Sequence, residues 1–139
     1  MMKEGDNSKF LGKLEELKKL NLPKDRFAVF GSGPLAVRGM REANDIDIIA
    51  LPDLFEELVK KYGEEKIKKG LANQRSIQAG DIEIWEGWAP GEWDIEKLIK
   101  EAEVFYDTRF VKLEEVLKWK KLMGREKDLK DIEMLEGRG

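Results

Sequence analysis

The chain has 139 residues, no cysteine and no histidine, with 41% hydrophobic and 40% charged residues and a net charge of −3. That length suits one domain, residues 1–139, around one core; it excludes two enzymes in tandem, and the composition excludes a disordered chain. The missing cysteines exclude disulfides and thiolate metal sites, the missing histidines remove the usual general base and zinc ligand, and 26 basic against 29 acidic residues leave no global basic field for nucleic acid.

Any chemistry must therefore run on carboxylates, hydroxyls, Lys and Arg. No stretch approaches the ~18–20 apolar residues of a membrane helix. Met1 to Asp6 carries no apolar signal core, so the chain is expected in the cytoplasm with no membrane partner. The 19 Lys and 19 Glu against 4 Asn and 2 Gln lean in the direction of proteins from hot environments.

In chain order, Leu11, Leu14, Leu17 and Leu20 recur near helical spacing and predict a helix from a Ser8 cap to Leu20. Phe27 to Phe30 is a short apolar run that reads as a buried strand entering the tight turn Gly31-Ser32-Gly33-Pro34, with a short helix expected over Leu35 to Gly39. Asp45 to Ala50 alternates with period two, so Asp45 and Asp47 share one strand face and Ile46 and Ile48 the other. Asp53 and Glu56 have the spacing of a capping pair for a helix that Gly63 stops.

Arg75 to Gln78 and Asp81 to Trp85 flank Ala79-Gly80 as a hairpin, and the second strand repeats the pattern of acids on one face. Asp94 caps a helix carrying Ile95, Leu98 and Ile99, and a short strand is expected through Val104 to Tyr106. Two last helices are expected over Leu113 to Met123 and Glu126 to Leu135, the second with Leu129, Ile132 and Leu135 on one face. Together these elements predict an α/β (α+β) domain, a small mixed sheet flanked by helices, with helices at the C-terminal end.

One segment goes beyond packing. A nucleoside triphosphate requires a close backbone approach, hydrogen-bond donors and a divalent cation. Gly31 leaves room for phosphates, Ser32 offers a hydroxyl and an amide, and Asp45 and Asp47 at i and i+2 suit the oxygen-seeking Mg²⁺. An isolated Asp-x-Asp is more often turn or cap chemistry, but the Gly-Ser turn upstream and the acids of Asp81 to Trp85 downstream favour a metal site.

Phe30-Gly31-Ser32 followed by Asp45-Ile46-Asp47-Ile48 resembles the signature of the nucleotidyltransferase superfamily, the polymerase-beta-like minimal enzymes. The resemblance implies a third metal-binding acid within a hydrophobic-acid-hydrophobic triplet on a later strand. Ile82-Glu83-Ile84 has that form, with Asp81 as the alternative. Lys120 or Lys121, Gly124-Arg125, Lys127-Asp128 and Asp131-Ile132 are similar to the C-terminal end of small prokaryotic members. There, basic groups approach the triphosphate and acids brace them, which implies nucleotide contacts for Lys120 and Arg125 and support from Asp128.

The expected function is accordingly Mg²⁺- or Mn²⁺-dependent transfer of a nucleoside monophosphate to an acceptor hydroxyl on an RNA end, a protein or a small molecule. Asp45, Asp47 and Glu83 would be catalytic, and Gly31, Ser32, Gly33 and Arg38 would bind the nucleotide. Arg38 and Arg41 read equally well as ordinary surface charges. Trp85, Trp88 and Trp93 suit base stacking, although a packed corner around Gly87 to Pro90 is the plainer reading. The competing expectation is a fold relative that binds nucleotide or a partner without turnover, or one component of a toxin–antitoxin pair.

Overall fold

The computed structural model describes residues 7–137, so the expectation for Met1 to Asp6 lies outside the described residues. Within them the strands β1 (Phe27–Phe30), β2 (Ile46–Ala50), β3 (Ile67–Lys69), β4 (Arg75–Ala79), β5 (Ile82–Trp85), β6 (Glu103–Phe105) and β7 (Thr108–Phe110) form one mixed sheet. Its order is β3-β4-β5-β2-β1-β7-β6. The helices are α1 (Ser8–Lys19), α2 (Gly33–Ala36), α3 (Pro52–Tyr62), α4 (Ile95–Lys100), α5 (Leu113–Met123) and α6 (Glu126–Gly137). This is the expected mixed α/β architecture. Among the described residues no helix is long and apolar enough to cross a membrane.

The central strands are covered on both faces, so their alternation separates two cores rather than core from solvent. Phe27, Val29, Ile46 and Ile48 pack with Phe10, Leu14, Leu17, Leu54 and Phe55 of α1 and α3. Ala28, Phe30 and Ile49 point the other way, into a cluster with Trp88, Val116 and Trp119. Asp47 has the parity of Ile49 and belongs to this second, aromatic side. β1 and β2 run antiparallel with Phe30 opposite Asp47, whereas β2 and β5 run parallel with Asp47 opposite Glu83.

Several local expectations shift. Asn7 rather than Ser8 occupies the first cap, and α2 begins two residues early, at Gly33. That early start depends on glycine, because a Cβ on Gly33 would stand 2.3 Å from Val29 Cγ1. Asp53 and Glu56 form no capping box. Pro52 opens α3 behind Leu51, while Asp53 pairs with Arg26 at 3.0 Å and Glu56 with Arg75 at 2.7 Å. The strand expected near Val104 turns back through Tyr106 and Asp107, both in the left-handed region, into β7, which pairs with β1.

The largest departure is in α6, whose buried face carries Asp128, Asp131 and Leu135, while Leu129 is exposed. The reason is Lys120 of α5. It is 1% exposed, and its ammonium lies 3.0 Å from Asp131 and 3.5 Å from Asp128. Asp131 also accepts from Arg41 at 2.5 Å, and Asp128 holds Arg125 through two side-chain hydrogen bonds of 2.6 and 3.0 Å. A buried cation surrounded by its counter-charges is tolerable, but two buried carboxylates without it are not. Lys120→Met is therefore expected to cost about 3–5 kcal/mol in urea unfolding; a loss under about 0.5 kcal/mol, the usual effect at a surface position, would contradict this packing.

Candidate functional site

Parallel pairing of β2 with β5 places the Asp47 and Glu83 side chains side by side on the aromatic face of the sheet. Asp47 accepts a hydrogen bond from Trp85 Nε1 at 3.2 Å, and Ser76 Oγ reaches Glu83 at 3.4 Å. The chain arrives opposite through Gly31, which has φ +64°; a Cβ there would lie 2.9 Å from Asp47 Oδ2. Glycine is thus required twice, for the left-handed backbone and for the approach of the carboxyl. Ser32 follows at the N-cap of α2, and its side chain makes no cap hydrogen bond.

Burial raises the pKa of Asp47 to about 7, and the charges of Glu83 and Asp45 add to the rise, while the Trp85 N–H opposes it. Near neutral pH the Asp47 carboxyl is therefore partly protonated. Asp45 is exposed just before β2. Asp81 lies in the turn before β5 and is paired with Lys13 of α1 at 2.5 Å. The geometry therefore distinguishes the two candidate acids: Glu83 adjoins Asp47, and Asp81 is held elsewhere.

A pocket of about 210 Å³ adjoins the pair, lined by Asp47, Glu83, Trp85, Trp88, Trp119 and Arg125 among others. Arg125 reaches it from the turn between α5 and α6, oriented by its bidentate pair with Asp128 and lying 5.7 Å from the Trp119 ring centre. Asp128 is buried, which raises its pKa. Hydrogen bonds from the Arg125 side chain and backbone, with the charges of Arg125 and Lys120, outweigh this and hold the carboxyl below its usual range.

Other expected contacts are not assembled here. Lys120 is sealed beneath the site by Asp128 and Asp131 and can only brace it. Arg38 donates to the Pro34 carbonyl at 2.6 Å and pairs with Glu103 of β6 at 2.8 Å, over the Phe105 ring. Gly33 serves the packing of α2 against Val29. Trp93 edges against Phe30 and donates to the Pro90 carbonyl, leaving the pocket wall to Trp119 of α5, for which the sequence suggested no site role.

Among the described residues no three acids converge into a ready metal cage. Mg²⁺ is commonly held by one or two carboxylates, with waters and substrate phosphates completing its shell. In chemistry and number, Asp47 and Glu83 fit that pattern, with Asp45 two residues earlier on the chain. No protein-family model matches the chain, and no curated protein matches it either.

The raised pKa of Asp47 has a definite sign in stability. Between the ordinary value of 3.8 and about 7, the folded chain keeps a proton that the unfolded chain releases, so this group's contribution falls as pH rises across that window. Asn at position 47 keeps an acceptor for Trp85 and cannot ionise. In metal-free buffer Asp47→Asn is expected to gain melting temperature relative to wild type as pH rises from about 4 to about 8, reaching roughly 3–10 °C. A constant difference across this range, or a less stable variant at about pH 8, would contradict the assignment.

Proposed function

We propose that the protein is a cytoplasmic Mg²⁺- or Mn²⁺-dependent nucleotidyltransferase that moves a nucleoside monophosphate from a nucleoside triphosphate to an acceptor hydroxyl. The observation carrying this reading is the meeting of four segments far apart in sequence. The Gly31-Ser32 turn abuts Asp47, Asp47 lies opposite Glu83, and both acids share a pocket with Arg125.

In this scheme the acceptor oxygen attacks the α-phosphorus and its proton passes to the carboxyl pair. The new O–P bond forms as the bond from the α-phosphorus to the bridging oxygen breaks, and pyrophosphate leaves. Ser32 and the turn backbone supply donors to the phosphates, and the Arg125 guanidinium offsets their charge. Mg²⁺ or Mn²⁺, held by Asp47 and Glu83 with Asp45 beside them, would neutralise the triphosphate and acidify the acceptor hydroxyl.

A second reading, a nucleotide-binding module without turnover, draws on two observations: the acids do not form a three-carboxylate cage, and Arg125 is already paired with Asp128. Incubation with α-labelled nucleoside triphosphates, Mg²⁺ and acceptors including total RNA, the protein itself and small polyols separates the two. Wild type is expected to release pyrophosphate and label an acceptor. Glu83→Gln should lose at least ~100-fold in rate while binding ATP within about threefold of wild type, and Asp81→Asn should stay active. Tight ATP binding with no labelling would favour the binding module; an active Glu83→Gln beside an inactive Asp81→Asn would move the role to Asp81.

A further inference from the structure

The sheet face that carries Asp47 and Glu83 continues past the pocket to an open edge. Gln78 of β4 stands opposite Glu83, while Lys68 of β3 stands opposite Ser76 and donates to Gln78 Oε1 at 3.2 Å. A polar track thus crosses four strands, from Asp47 of β2 through Glu83 and Gln78 to Lys68. Over β1 and β2 this face is covered by the aromatic core, but Gln78 and Lys68 are exposed. The end of β3 also seats against the site: a Cβ on Gly70 would stand 2.6 Å from Trp85 Cη2, and Leu71 lines the pocket.

This edge is basic. Residues 60–69 hold five lysines and two glutamates in a chain of net charge −3, and all five lysines are exposed. None of the five forms an ion pair among the described residues, whereas Arg75 on the adjoining strand is held by Glu56 and Glu86. Lysines on an edge strand also keep it from pairing with other chains, a role that either face would serve. Lys68 stands on the face of the acid pair.

We propose that the track is the acceptor surface, along which a single-stranded polynucleotide lies with its terminal hydroxyl at Asp47 and Glu83 and its last phosphates at Lys66, Lys68 and Lys69. The inference rests on the transferase reading and names its acceptor. Small molecules bind in concave, mostly apolar sites, and this track is open and polar. Protein interfaces are depleted in lysine and anchored by buried aromatic residues, and β3 and β4 carry no aromatic residue. A nucleic-acid strand brings a fixed negative charge with every nucleotide and is held by cations without apolar burial. β3 lies two strand spacings, roughly 10 Å, from β5, so one strand end spans from the acids to the lysines. Its terminal oxygen bonds to the α-phosphorus, its proton passes to the carboxyl pair, pyrophosphate departs, and the strand gains one nucleotide.

Fluorescence anisotropy of a dye-labelled oligouridylate of about 12 nucleotides, in EDTA and without triphosphate, tests the surface apart from turnover. Neutralising three phosphates predicts a slope of log affinity against log salt of about −2. Lys66→Gln, Lys68→Gln and Lys69→Gln combined should bring the slope near zero and weaken binding about tenfold at ~50 mM salt, with an unchanged melting temperature. The same change of charge outside the track, at Lys18, Lys19 and Lys100, should leave slope and affinity as in wild type. In the transfer assay the track variant should raise the KM for the oligomer about tenfold and leave kcat and ATP affinity within about twofold. An oligothymidylate run beside it reads which sugar is accepted, and salt-dependent binding of either strand supports the surface.

No binding, a wild-type slope near zero, wild-type affinity in the track variant, or an equal loss in the control variant would overturn the surface. So would transfer of label to an acidic protein while the oligomer present with it stays unlabelled. Salt-dependent binding without transfer of label from any triphosphate would keep the polynucleotide surface and remove the transferase. Label on a polyol or a protein, with no oligomer bound, would do the reverse.

Discussion

Two carboxyl groups side by side on the covered face of a sheet are the constraint around which this site is arranged. Parallel pairing of β2 with β5 sets Asp47 opposite Glu83, both half-buried at the edge of one pocket. The surroundings accommodate the pair in three ways. Trp85 donates to one acid, Ser76 reaches the other, and a proton near neutral pH removes one charge. Gly31 completes the arrangement by keeping the opposite backbone free of a side chain. A hydrophobic pair at these positions would fold with less internal conflict, and functional sites are where proteins retain such conflicts.

A second buried electrostatic unit holds the far wall of the pocket. Lys120 joins Asp128 and Asp131, and through them Arg125 at the pocket and Arg41 in the segment leading to β2. One desolvated ammonium thereby links α5, α6 and the approach to β2. Arg125 gains orientation from Asp128, and its guanidinium still borders the pocket. The two units place negative and positive groups around one aromatic pocket.

Most of the fold could be read from the sequence wherever periodicity was strong. Phe27 to Phe30, the hairpin around Gly80 and the helix Leu113 to Met123 all lie where their patterns place them. Pairing of distant segments was not legible. Alternation assigns Asp45 and Asp47 to one face, but only the parallel register shows that Glu83, and not Asp81, stands beside Asp47. The rule that apolar residues face inward misassigned α6, because the group it covers is a buried lysine and the complement of a buried lysine is acidic. Arg38 looked like a phosphate ligand by its position after the turn, yet the chain reversal into β7 brings Glu103 within its reach. Trp119 escaped notice because it lies 31 residues from Trp88 and meets it only in the folded chain.

The most direct measurement is the titration of the Asp47 carboxyl itself, followed by carbon-13 NMR on aspartate-labelled protein and assigned by Asp47→Asn. In metal-free buffer the midpoint should lie at about 7, and addition of Mg²⁺ with ATP should move it down toward the ordinary aspartate range. A metal-free midpoint near the ordinary value of 3.8, or one that Mg²⁺ and ATP leave in place, would contradict the account of Asp47 as a carboxyl raised by burial beside Glu83 and placed to meet a cation.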